Sequence, residues 1–116
     1  MADPLITGFL ADPATREARA WLESSDANSL GELPSGEESR AVVEAAYSAG
    51  AARVMAVGID EYPEDGASNT GKLVIELPAD PGLRSGVFAW AAAIAEDQGF
   101  DGETDCGQTH LLVSLD

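Results

Sequence analysis

Residues 53–77 read RVMAVGIDEYPEDGASNTGKLVIEL: two apolar runs joined by a polar, glycine-rich segment. In the first run, Arg53 to Asp60, Met55, Val57 and Ile59 recur with period 2, and Ala56 and Gly58 fall between them. In the second, Leu73, Ile75 and Leu77 alternate with Lys72 and Glu76, and Pro78 ends the pattern. Side chains alternate across a strand, so period 2 predicts two β-strands, each with one face of large residues. Pro63 to Gly71 between them is rich in Gly, Asp, Ser and Asn. It predicts a hairpin with a long loop. Strands apolar on one face imply a sheet covered by helices on that face alone.

Working outward, the flanks supply the helices. Asp80-Pro81 reads as a cap followed by proline at the first helical position, where its missing N–H is no loss. Leu83, Val87, Trp90, Ala91 and Ile94 then form an apolar stripe over 81–98. That stripe makes Trp90 the expected centre of the helix–sheet core. Gly99 ends the helix, and Phe100 stands where a Schellman end makes its hydrophobic contact. Upstream, Ser35 and Glu38 fit a capping box, and Val42, Val43, Ala46 and Tyr47 give a second stripe over 35–49, closed by Gly50. Asp12-Pro13 repeats the cap, with Ala14, Ala18, Trp21 and Leu22 predicting a first helix over 13–24. A last strand, 109–115, turns Leu111, Val113 and Leu115 inward, and Leu5 to Leu10 offers a further strand. The order is α-α-β-β-α-β. The expected fold is one α+β domain, a two-layer sandwich. It has a mostly antiparallel sheet of three or four strands with helices on one face, and resembles a trimmed ferredoxin-like sandwich.

Composition narrows the function. The 116 residues suffice for one domain, and 45% are hydrophobic, too many for a disordered chain. Against 21 acids stand six bases, a net charge of −15. So acidic a chain cannot neutralise a run of phosphates, which argues against direct nucleic-acid binding and against docking on anionic lipid. A single Cys excludes an internal disulfide, and one Cys with one His excludes a Cys/His zinc site. The longest apolar stretch, Val87 to Ala95, is too short to span a bilayer, and Met1 to Leu10 has no basic n-region. The expectation is a cytoplasmic protein without a cofactor.

The charge is uneven. Residues 1–58 carry nine acids and four bases, and residues 59–116 carry twelve acids and two bases. The hairpin loop holds Asp60, Glu61, Glu64 and Asp65. The helix after the second strand must return towards that loop, bringing Glu96, Asp97, Asp101, Glu103 and Asp105. The helix over 35–49, if antiparallel to the next strand, starts there with Glu37 and Glu38. The sequence thus predicts an acidic pole with Lys72 its nearest base. Glu96 and Asp97 also oppose the helix dipole, as does Arg84 in the first turn.

Three motifs suggest other chemistry. Gly66 to Lys72 fits the spacing G-x-x-x-x-G-K, but Leu73 stands where a Mg²⁺-binding hydroxyl is needed, and a strand follows where phosphate binding needs a helix. Asp101, Glu103 and Asp105 match the first half of an EF-hand loop, but Cys106 replaces the turn glycine and Leu112 the bidentate Glu. Cys106 and His110 could form a thiolate and base, yet nearby acids disfavour a thiolate. The preferred reading is a non-enzymatic, inhibitor-like binding module. Its acidic residues Asp60, Glu61, Glu64, Asp65, Glu96, Asp97, Asp101, Glu103 and Asp105 would meet a basic protein surface. The alternatives are a Ca²⁺ or Mg²⁺ domain using the same carboxylates, or a salt-adapted domain.

Overall fold

The computed structural model describes residues 4–25, 27–31, 33, 36–62, 64 and 67–115. It is an α+β fold built on one long hairpin. β3 (Arg53–Val57) pairs antiparallel with β6 (Lys72–Glu76), and β4 (Asp60–Tyr62) with β5 (Ala67–Thr70). The register runs on unbroken, from Arg53↔Glu76 through Val57↔Lys72 to Asp60↔Asn69 and Tyr62↔Ala67. The stretch Ala67 to Thr70, in the segment expected to be loop, is therefore strand. It lacks apolar alternation because its pairing rests on backbone and polar side chains: Asn69 Nδ2 donates to Ser29 Oγ at 2.9 Å and to the Gly31 carbonyl at 3.0 Å.

The hairpin is divided where Gly58 takes φ +60°, a left-handed conformation that favours glycine. Opposite this point, buried Thr70 donates its hydroxyl to the Val57 carbonyl and accepts from Lys72 N at 3.1 Å. The two halves join different sheets. β1 (Arg16–Glu17), β3, β6 and β7 (His110–Ser114) form a fully antiparallel sheet in chain order. β2 (Ser29–Leu30) runs parallel to β5 and completes a small sheet ordered β2-β5-β4. Strands in chain order lack the interleaving of a split βαβ sandwich.

Three helices, α2 (Ala18–Ser24), α3 (Glu37–Ala49) and α4 (Pro81–Asp97), cover one face. Trp21, Leu22, Val43, Ala46, Val87 and Phe88 meet Val54, Ala56, Leu73, Ile75, Leu111 and Val113. Full burial of Leu73 and Ile75 contributes roughly 1.5–3 kcal/mol each. The face of β3 towards these helices is thus its small one, Val54 and Ala56. Met55 and Val57 point the other way, where α1 (Pro4–Ala11) lays Ile6 and Phe9 over Val57, Val74 and Leu112. The further strand expected at Leu5 to Leu10 is this helix. Both faces of the sheet are covered, which explains why alternation misassigned the inward side of β3.

Two helix starts also differ. Asp12 accepts from Ala14 N at 2.9 Å and forms a turn. Arg16 and Glu17 then pair with Ala56 and Met55, so α2 begins only at Ala18. Its cap is Glu17, whose carboxylate accepts from Ala20 N at 2.7 Å and Arg19 N at 3.1 Å. α3 opens after Gly36, and the expected cap Ser35 lies outside the described residues. α4 begins as expected, with Asp80 accepting from Leu83 N at 2.9 Å. Trp90 is half-buried at the margin of the core, and Val87 and Phe88 hold its centre. No helix among the described residues is long and apolar enough to cross a membrane.

Candidate functional site

The site is organised by the route of the chain after α4. The helix closes in a Schellman motif: Gly99, at φ +85°, donates to the Glu96 carbonyl at 3.0 Å and Phe100 N to the Ala95 carbonyl at 2.8 Å. Gln98 Nε2 donates to the Ser114 carbonyl at 2.8 Å, so α4 ends beside the end of β7, opposite Lys72. This is the end of the sheet from which β4 and β5 extend. Glu96 and Asp97 stand exposed there, as do Asp60 and Glu61 on β4 and Glu64 at the turn. Asp65 lies outside the described residues. α3 ends near the opposite end, at the entry to β3, and therefore starts towards the hairpin with Glu37 and Glu38 exposed.

Of the remaining acids, Asp101 and Glu103 follow the end of α4 and Asp105 leaves the pole. β7 is antiparallel to β6, so the chain must return the length of α4 before β7 begins. Residues 98–109 make that return along the helix. Gly102 lies so close to it that a Cβ would meet Ala92 Cβ at 2.5 Å. Asp101 and Glu103 therefore flank α4, and Asp105 reaches its other end. There the Asp105 carboxylate accepts from Arg84 Nη2 at 2.6 Å and Nε at 3.1 Å. Arg84 Nη2 also donates to the Gln108 carbonyl at 3.1 Å. The Arg84 guanidinium and the Gly107 amide pull the Asp105 pKa down to about 2. Arg84, which opposes the helix dipole, is thus the clamp for the returning chain. Asp105 was expected at the pole because it follows a helix that ends there; the extended return separates it.

The return leaves a groove of about 280 Å³ between the C-terminal half of α4, residues 100–103 and β7. Its apolar walls are Ala91, Ile94, Ala95 and Val113, with Gln98 and Ser114 beside them, and its rim carries Phe100, Asp101 and Glu103. Phe100 is 67% exposed, so the contact expected to bury it at the helix end is not made. β7 is an edge strand that pairs with β6 alone among the described residues.

The other candidate chemistry is dispersed. The Cys106 thiol is exposed and lies 3.4 Å from Gln108 Oε1, while His110 Nδ1 meets Thr109 Oγ1 at 2.8 Å. Among the described residues, no three acidic, Cys or His side chains are grouped so as to hold a metal ion. Lys72 opens β6, so a strand and not a helix follows Gly71.

A polar network on the opposite flank has no sequence signal, because its members come from separate elements. The Tyr47 hydroxyl donates to Glu17 Oε2 at 2.5 Å and accepts from Val54 N at 3.1 Å. Arg19 lies over the Tyr47 ring, 4.3 Å from its centroid, and pairs with Glu44 at 2.6 and 2.8 Å. Burial pushes the Glu17 carboxyl up, but the Tyr47 hydroxyl and the Ala20 and Arg19 amides more than offset this and hold its pKa below the ordinary value. Burial and the bond to Glu17 raise that of Tyr47. This network joins α2, α3 and β3 and is structural.

No protein family matches the chain, and neither a curated protein nor a solved structure is detectably similar to it.

Proposed function

We propose that the protein is a small, acidic, non-enzymatic binding module that recognises a basic protein surface. The observation that carries this reading is the exposed acids Asp60, Glu61, Glu64, Glu96 and Asp97 at the hairpin end of the sheet. The paired arginines Arg19 and Arg84 serve α3 and the start of α4 instead. Charge of one sign at one end attracts and orients a basic partner before contact, and so acts mainly on the association rate. Masking a basic surface is inhibitory in effect. A cation-binding role is less favoured, since the carboxylates that would share an ion are divided between the two ends of α4.

The test uses fluorescein-labelled octa-arginine as the probe and stopped-flow mixing. Association should slow by about tenfold or more between ~0.01 M and ~0.15 M salt as the Debye length falls from about 30 to about 8 Å. Asp60→Asn, Glu61→Gln, Glu96→Gln and Asp97→Asn together should remove most of that dependence. The pair Glu23→Gln and Glu76→Gln, on other parts of the molecule, should change it little. Equal loss per charge in the two sets would mean that the charge is a diffuse coat, and the reading would fail.

A further inference from the structure

We propose that the groove between α4 and β7 receives an arginine side chain of the basic partner. This rests on the preceding reading and adds to it the place where contact is anchored. An arginine has two chemically different parts: an aliphatic stem that gains from apolar contact and a planar cation that remains paired or solvated. The groove has the matching parts in the matching order. Ile94, Ala95 and Val113 give a slot of about 280 Å³ an apolar wall, beside Gln98 and Ser114. That is small for a drug-sized ligand and suited to a single long side chain. At its rim stand the exposed Asp101 carboxylate and the Phe100 ring, 67% exposed. A guanidinium emerging there stacks on the ring and meets the carboxylate, and both interactions favour Arg over Lys.

The position is held rather than incidental. The Schellman bonds of Gly99 and Phe100 fix the Phe100 backbone at the helix end. The contact of Gly102 with Ala92 fixes the far side, and Arg84 with Asp105 anchors the return below it. Glu96 and Asp97 stand one turn away on α4, so a partner steered to the acidic end arrives beside the slot. Aromatic residues, Phe among them, are also enriched at the cores of protein interfaces.

The experiment is a ¹H–¹⁵N titration of the full chain with octa-arginine and, separately, octa-lysine. The expected result is saturable shifts at Ile94, Ala95, Phe100, Asp101 and Leu112, with tighter binding of octa-arginine. Phe100→Ala should weaken octa-arginine binding by about two- to fivefold, as for an exposed cation–π contact. It should weaken octa-lysine binding less. Asp101→Asn should also weaken binding, and both variants should keep the wild-type amide spectrum away from the groove. Shifts confined to 60–64 and 96–97 would overturn the arginine slot while leaving the basic-partner reading intact. Absence of any shift at low salt would overturn both.

Discussion

Removing the Tyr47 hydroxyl should destabilise the protein by about 2–4 kcal/mol, although the side chain is only half-buried. The reason lies in β1. In the β3–β6 pairing, the backbone groups of Val54 and Ala56 point away from β6 towards β1. Ala56 finds Arg16 there, but the chain turns into α2 at Ala18, and Val54 is left without a strand partner. The Tyr47 hydroxyl supplies it, accepting from Val54 N at 3.1 Å, and Val54 is fully buried. Tyr47→Phe leaves that N–H unsatisfied, a loss of about 1–3 kcal/mol. It also removes a bond to the Glu17 carboxylate, about 1 kcal/mol at a partly exposed site. At about 4 °C per kcal/mol for a domain of this size, the melting temperature should fall by about 10 °C. Glu17→Gln separates the two contributions, because it keeps an acceptor for Tyr47 but loses the charge. The folded-state pKa of Glu17 is depressed, so its contribution is present above the ordinary value of 4.5 and is lost as pH falls through the folded value. The stability gap between wild type and Glu17→Gln, measured by urea denaturation, should therefore close on acidification. A Tyr47→Phe melting temperature within 2 °C of wild type would refute the account of β1 and its missing rung.

Three further outcomes check the packing. Gly102→Ala should destabilise by about 1–3 kcal/mol through overpacking against Ala92, and combining it with Ala92→Gly should recover part of the loss, read as a coupling in a double-mutant cycle. Asp105→Asn should speed amide exchange across 101–108. The wild-type advantage over this variant in urea, present above the ordinary pKa of 3.8, should vanish as pH falls through about 2. Phe88→Ala should lower stability by about 3–5 kcal/mol and Trp90→Ala by less, since Phe88 is 9% exposed and Trp90 only packs on the rim of the core; a larger effect at Trp90 in chemical denaturation would reverse that ranking.

Much of the fold is determined locally and is legible without the structure. Period 2 in 72–77 and 109–115 assigns Leu73, Ile75, Leu111 and Val113 to the main core, and the stripe in 35–49 assigns Val43 and Ala46. In 81–98 the period states a helix but not its inward face: Val87 is buried as expected, whereas Leu83 is exposed and Phe88, outside the stripe, is buried. Asp80 and Gly99 bound α4 because an orphan amide or a left-handed residue is a local need. Where both alternating sets are apolar, as in β3, periodicity carries no preference, and only the unequal cover of three helices against α1 decides that Val54 and Ala56 face the main core. Pro4 to Ala11 is too short and too evenly apolar for its period to distinguish helix from strand. The total charge is a property of composition, but its partition is not. Asp105 joins Arg84, 21 positions away, because antiparallel pairing of β7 with β6 forces the chain back along α4. That requirement belongs to the sheet as a whole. It also opens the groove beneath Phe100, since a strand and a helix joined by a returning segment cannot close the space between them with the small side chains Ala91 and Ala95.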